Sequence, residues 1–276
     1  MMRALWSAAS GMKIEQTAVD NIANNLANVN TLGYKEQTAQ FKTLLYQNLQ
    51  AQTTTANGTN KPSSAQVGLG ARVASINASY TQGAQLESDN PMACCINGNG
   101  FFAVMGPDQE TYYTRSGDFL WATSNEDDQL VLTDPNGNPV LDREGERIFL
   151  PENISSNNVS IGTDGSIMYR DPTAENGFTD TGQFIALYQF PNTTGLEKTA
   201  NNLSSPTLAS GAAIAEWDAD ATLTPSTISQ GYIEGSNVNI ADEMVSMIVS
   251  QRAYESNSKA ITTSDSMLQT ANELKR

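Results

Sequence analysis

The stretch Gly231–Ile261 reads GYIEGSNVNIADEMVSMIVSQRAYESNSKAI, and neither Gly nor Pro interrupts the chain after Asn239. Asn239 is a suitable N-cap, and Asp242 and Glu243 suit the positive end of a helix dipole. From there, apolar residues recur every seven positions, as in a coiled-coil seam, and two others widen the stripe near its start. The pattern predicts a C-terminal axial helix, 233–276, whose narrow apolar face requires a partner: Ile240, Met244, Met247, Ile248, Tyr254, Ile261 and Leu268.

A second heptad pattern lies close to the N-terminus. Seven of its eight positions are apolar and Glu15 is the exception, which predicts a helix of about 40 Å at 1.5 Å per residue. Asn and Gly residues in Asn28–Gly33 supply termination signals, so 1–35 is interpreted as an N-terminal axial helix. We expect its seam to pack between subunits together with that of the C-terminal helix, through Leu5, Met12, Val19, Ile22 and Leu26.

Both helices also carry a stripe of amide and hydroxyl side chains away from the predicted seam. Asn is a mediocre helix former, so a stripe of it requires an explanation. A solvated face and hydrogen bonding to neighbouring subunits are both open interpretations. The stripe comprises Asn21, Asn24, Asn25 and Asn28 at one end and Ser250 and Asn257, followed by Ser264, at the other.

The centre of the chain, 72–232, has the pattern of a β domain. Short apolar runs such as GFFAVM (Gly100–Met105) and FIALYQF (Phe184–Phe190) alternate with Asn-Gly and Asp-Pro turns. Between the first helix and this region, residues 36–71 are polar and have little to bury, which predicts a linker or an extended arm lying against a neighbouring subunit. The fold class is therefore α+β: paired terminal helices form a discontinuous domain with a mainly-β domain inserted.

Composition excludes several classes of function. The 276 residues hold 15 Lys and Arg against 30 Asp and Glu, for a net charge of −15, which argues against nucleic-acid binding. No His is present, so His-based catalytic triads, Cys-His dyads and His-ligated metal sites are impossible. The N-terminal MMRALWSAASG only superficially resembles a signal peptide, because polar residues break its apolar run. We expect no cleaved signal.

The other polar or reactive motifs in the sequence are poor candidates for a catalytic or metal site. Glu126-Asp127-Asp128 is interpreted as a solvated charge run. Asp134-x-Asn136-x-Asn138 faintly resembles a calcium loop, but its Gly is misplaced and no Glu follows at the twelfth position. The adjacent Cys94 and Cys95 are expected to pack as small apolar residues in a strand. The sequence predicts no catalytic, metal or cofactor site and no enzyme.

Four motifs, in order along the chain, resemble those of the bacterial flagellar rod and hook family. They are ANNLANVNTLGYK (Ala23–Lys35), INGNGFFAV (Ile96–Val104), YTRSGDF (Tyr113–Phe119) and the Gly231–Ile261 stretch. The similarity is greatest to distal rod members, because the chain lacks room for the additional outer domain of a typical hook protein. Gln47–Gly70 also stands where distal rod members have an extra stretch.

The resemblance implies a structural subunit that polymerises into a hollow helical shaft, with terminal helices lining the channel. Such a shaft would cross the periplasm in the basal body, transmit torque to the hook and conduct exported subunits. The implied partners are further copies, proximal rod proteins below, the hook protein above, the surrounding ring bushing and the flagellar export apparatus. A hook or proximal rod subunit is the near alternative, and a secreted adhesin or pilus-like subunit is the distant one.

Overall fold

The computed structural model describes residues 2–50, 65–124, 129–150, 158–170, 177–218 and 223–274. Two parts of the sequence-based interpretation lie outside these residues: the charge run Glu126-Asp127-Asp128 and the central part, 51–64, of the predicted arm. Within the described residues the chain is a mixture of two long helices and many short strands, which confirms the α+β class. None of the described helices is both apolar enough and long enough to cross a membrane.

The chain forms two compact units. The helical unit contains 1–27, 37–78 and 239–276, and the β unit contains 28–36 and 79–238. The helical unit therefore includes residues 72–78, which the sequence pattern had assigned to the β domain. The helical unit has two helices and four strands: α1 (Met2–Ala27), β1 (Gln37–Thr43), β2 (Tyr46–Gln50), β3 (Ala65–Gly68), β4 (Ala71–Ala78) and α2 (Ile240–Glu273).

The stop signal after α1 and the cap of α2 lie where the sequence predicts, but both helices are shorter than the predicted segments 1–35 and 233–276. Helix α1 stops at Ala27 and is followed by turns up to Gly33, whose φ of 67° suits a residue without a side chain. Helix α2 is capped by Asn239, whose side-chain oxygen accepts a hydrogen bond from the Ala241 N–H at 3.1 Å. Asp242 and Glu243 occupy its first turn, as expected for the positive end of the dipole.

The predicted arm contains paired strands in its described parts. Strand β1 pairs antiparallel with β4, with a bulge between Gln40 and Phe41, and β2 pairs antiparallel with β3. The result is a ribbon that contacts α1 through both β1 and β4. Gly70 lies close to α1, since a Cβ at this position would overlap the Ser10 hydroxyl oxygen.

The β unit is built from fifteen strands in its described residues. A six-stranded sheet has the order β15-β16-β8-β7-β14-β17, a three-stranded sheet has the order β11-β12-β13, and the remaining strands form the pairs β9/β10, β6/β18 and β5/β19. The strands are β5 (Gln85–Glu87), β6 (Cys94–Asn97), β7 (Phe101–Met105), β8 (Thr111–Thr114), β9 (Leu120–Thr123), β10 (Leu130–Thr133), β11 (Val159–Ile161), β12 (Ser166–Arg170), β13 (Phe178–Phe184), β14 (Leu187–Gln189), β15 (Glu197–Lys198), β16 (Leu203–Ser205), β17 (Ile214–Ala215), β18 (Thr227–Gln230) and β19 (Tyr232–Glu234).

The β unit contains an apolar core. Phe102 and Phe119 are fully buried and meet edge to face, with ring centroids 4.9 Å apart. Cys94 and Cys95 are free, buried and part of β6, as predicted. The Asp134 carboxylate accepts hydrogen bonds from the backbone and side-chain N–H groups of Asn136 and Asn138. The Asp134 carboxylate is therefore hydrogen-bonded to amide groups of its own turn.

Candidate assembly surface of the helical unit

Helices α1 and α2 pack antiparallel, and a buried amide joins them near one end. Asn25 is 1% exposed, and its Nδ2 donates to Oε1 of Glu243 at 2.9 Å. The same amide donates to the Gln37 carbonyl at 2.9 Å and accepts from the Gln37 N–H at 3.0 Å. Asn21 donates to that carbonyl as well, at 2.6 Å. The first residue of β1 is therefore fixed to α1 by side chains.

A second contact lies fourteen residues away along both helices. Gly11 of α1 faces Asn257 of α2 so closely that a Cβ at Gly11 would lie 2.7 Å from the Asn257 Nδ2. Asn25 opposite Glu243 and Gly11 opposite Asn257 define one antiparallel register. A larger residue at position 11 would force the helices apart or displace the Asn257 side chain.

The predicted seam of α1 is only partly buried. Ile22 is buried, whereas four of the predicted positions are half-buried: Leu5, Met12, Val19 and Leu26. The most buried apolar side chains of this helix follow a neighbouring line instead, formed by Ala8, Ile14, Ala18 and Ile22.

The predicted seam residues of α2 fall into two sets that differ in solvent exposure. Met247, Ile261 and Leu268 are half-buried. Ile240, Met244 and Tyr254 are exposed. Packing between the seams of neighbouring subunits stays a prediction for all of these positions.

The amide stripe lies on more than one face. Asn21 and Asn25 are buried and hydrogen-bonded within the chain, so a solvated face is wrong for these two. An amide can donate and accept at once, which allows it to bind the backbone of β1 in a buried position. Asn24 is exposed, whereas Asn28, Ser250 and Asn257 are half-buried. Contacts of the stripe with neighbouring subunits stay a prediction.

The first third of α2 presents an apolar patch to solvent, here called the α2 patch: Met244, Val245, Ile248 and Val249. Val245 and Val249 are 61% and 62% exposed, and Met244 and Ile248 are more than half exposed. Four adjoining aliphatic side chains in water are unusual for a monomeric protein and indicate an interface. A groove of about 410 Å³ also opens beside α1 and α2, lined by Gln16, Val19, Gln251, Tyr254 and Glu255.

The β unit contains a buried ionic cluster that the sequence analysis did not identify. Lys35 donates from Nζ to Oε1 of Glu234 at 2.6 Å and to the Thr81 carbonyl at 2.7 Å. Nη1 of Arg115 lies 3.6 Å from Oε2 of Glu234, and all three charged side chains are nearly inaccessible to solvent. Burial lowers the pKa of Lys35, an effect that the charge of Glu234 opposes. Lys35 and Glu234 are 199 residues apart in sequence, so no local pattern could reveal the pair.

Three family patterns match separate parts of the chain. Residues 5–35 match the pattern described as flagella basal body rod protein, and residues 95–169 match the D1 domain of the flagellar hook proteins FlgE, FlgF and FlgG. Residues 229–274 match the C-terminal region of the flagellar basal body rod proteins FlgE, FlgF and FlgG. The matches cover the motifs that carry the resemblance in the sequence, including the Gly231–Ile261 stretch.

Individual relatives extend the similarity to the whole chain. The flagellar basal-body rod protein FlgG of Borreliella burgdorferi is 41% identical over 278 residues, which cover 100% of both chains. FlgG of Bacillus subtilis is 38% identical over 279 residues, again covering 100% of both chains. The hook-basal body complex protein FlhP of Bacillus subtilis is 29% identical over 280 residues, with the same coverage. The chain therefore belongs to the flagellar basal-body rod protein family, whose members are structural components of the bacterial flagellum and not enzymes.

Proposed function

We propose that the chain is the structural subunit of the flagellar distal rod, and that its copies polymerise into a hollow helical shaft. The observation that carries this proposal is the α2 patch, because four aliphatic side chains remain in water after the chain has folded. Burying the exposed part of one of them in a neighbouring copy would contribute about 1–2 kcal/mol. The full-length similarity to FlgG proteins supports the choice of the distal rod.

In this proposal the helices of neighbouring copies form coiled-coil-like contacts through the predicted seams and line the channel. The shaft crosses the periplasm within the ring bushing, continues from the proximal rod proteins and ends at the hook protein. It transmits torque to the hook and conducts exported subunits. The subunit itself reaches the rod through the flagellar export apparatus.

The direct test is electron microscopy of basal bodies from cells that lack this protein. We expect basal bodies without a distal rod or hook, and recovery of both when the intact gene is returned. A Val249→Asp variant should not restore the rod, because a charge in a contact between copies is costly. Val249→Ile keeps the surface apolar and serves as the matched control. Complete rods and normal motility without the protein would refute the proposal.

A further inference from the structure

The ribbon formed by β1–β4 has an unusual charge composition. Residues 37–78 contain Lys42, Lys61 and Arg72 and no Asp or Glu, although the whole chain has twice as many acidic as basic residues. Lys42 and Arg72 both lie in the described part of the ribbon, on β1 and β4. The ribbon is therefore a basic segment of an acidic protein.

Lys42 and Arg72 stand directly opposite each other in the register of β1 and β4. Residues opposite each other in an antiparallel pair project from the same face, and like charges in that position destabilise the pair. Both side chains are exposed, and neither forms an ion pair with any carboxylate in the described parts of the chain. An anion bound between them would remove the repulsion.

Apolar side chains lie exposed on the same ribbon. Leu45 is 83% exposed, and Tyr46, Leu49 and Ile76 are also exposed. A free anion would leave these side chains in water, whereas a protein surface that brings a carboxylate would also cover them. The combination fits a partner surface that is acidic and large enough to cover several side chains.

Charge complementarity identifies the partner as a second copy of this chain. The helical unit carries nine Lys and Arg against seven Asp and Glu, whereas the β unit carries six against 23. The helical unit is therefore net positive by two charges, and all of the excess negative charge is in the β unit. In any polymer of this chain, each ribbon is accompanied by one strongly acidic β unit per copy.

We propose that Lys42 and Arg72 form a two-cation site for a carboxylate from the β unit of a neighbouring copy, and that the exposed apolar residues of the ribbon pack around this contact. The ammonium group and the guanidinium group together offer donors on two sides of one carboxylate. The inference rests on the proposed function, because it requires copies to polymerise. It adds the chemistry by which the ribbon recognises its neighbour.

Carbodiimide cross-linking tests the contact in isolated rods. The reagent activates a carboxylate, the Lys42 amine attacks the activated carbon, and an amide forms as the reagent leaves as a urea. Mass spectrometry should find Lys42 joined to an Asp or Glu of the β unit in rods and not in purified monomer. Rods in which Lys42 stays unlinked, or is linked only to the helical unit or to a different protein, would overturn the proposal.

Charge reversal gives a second test. K42E/R72E places two carboxylates against an acidic surface, and we expect the yield of complete rods to fall on the order of tenfold. K42R/R72K keeps both charges and should assemble normally. The circular dichroism of the K42E/R72E monomer should match that of the unaltered chain, since both positions are on the solvent face. Normal rods from K42E/R72E would refute the two-cation site and leave the proposed function standing, whereas normal rods in cells without this protein would refute both.

Discussion

The β unit and the helical unit bury their apolar side chains to different extents. In the β unit, Phe102, Phe119 and Ile148 are fully buried among other side chains of the same unit. In the helical unit, aliphatic residues of α2 such as Val245 and Val249 stay mostly in water. The β unit therefore has the core of an independently stable domain, whereas the helical unit exposes surface that a neighbouring copy can bury.

The largest expected effect comes from placing a charge on the helical seam. Val19 and Ile261 are half-buried, and Val19 lines the groove beside Tyr254. We expect Val19→Asp or Ile261→Asp to abolish rod growth, because an unpaired charge in a buried contact costs several kcal/mol at each added subunit. The measurements are motility and the yield of basal bodies.

The same two variants also test whether the β unit folds independently of the helical seam. The β unit shares no seam residue, so the purified monomer of either variant should keep its strand content and melting temperature in circular dichroism. Normal motility would show that the seam is not buried between subunits. A monomer that no longer melts cooperatively would show that these helices contribute to the subunit's own core.

Limited proteolysis should reveal the same difference in the unaltered monomer. Isolated helices are marginally stable in water, and the apolar face of α2 is narrow. We expect both ends to be largely disordered before assembly and a core near residues 35–235 to survive digestion. Full protection of both ends in a proven monomer would contradict this expectation.

Much of the helical unit could be predicted from sequence because helices are local structures. The heptads, the Asn239 cap and the turn after Ala27 all depend on residues close together in the chain. The face on which the amides lie could not be predicted, because Asn25 is buried by Gln37 and Glu243, which come from distant segments. A polar residue on a helix is ordinarily assigned to solvent, and only the tertiary structure shows that Asn25 is an exception.

The ribbon and the ionic cluster were missed for related reasons. Strand β1 has the sequence QTAQFKT, in which polar residues hide any alternation of apolar and polar positions. Its partner β4 is separated from it by the polar segment that suggested a linker. In the ionic cluster, Lys35 meets Glu234 across most of the chain length. Pairings of this kind depend on the completed fold.

Removing one member of the ionic cluster tests how far the stability of the β unit depends on it. Lys35→Met leaves the Glu234 carboxylate buried with a weaker partner, Arg115 at 3.6 Å. We expect the free energy of unfolding to fall by about 3–5 kcal/mol, measured by urea denaturation of the monomer. The matched control is Arg252→Gln, which removes an exposed ion pair with Glu255 and should cost at most about 1 kcal/mol. Equal losses for the two variants would contradict the distinction between a buried and an exposed pair.

The smallest expected effect is a pH dependence that comes from Lys198. Burial, and secondarily the charge of Lys35, lowers the pKa of Lys198 from 10.5 to about 8, while its Nζ donates to the Lys35 carbonyl and lies over the Tyr34 ring. Between these two pKa values the unfolded chain binds more protons at Lys198 than the folded chain does. The contribution of this residue to the free energy of unfolding therefore increases as the pH rises from about 8 toward 10.

Other buried groups limit the pH range in which the effect of Lys198 on stability can be measured. Burial raises the pKa of Tyr113 to about 12, so its contribution to stability falls as the pH rises above 10. Burial also raises the pKa of Cys94 and Cys95 from 9.0, so their contribution to stability falls as the pH rises through about 9. Urea denaturation between about pH 7.5 and 8.5, below that fall, should show an increase of less than about 1 kcal/mol, because the Lys198 side chain remains partly exposed to water. Lys198→Met should remove the increase while keeping much of the apolar contact with Tyr34. An identical pH dependence in the variant and the unaltered chain would assign the effect to another group.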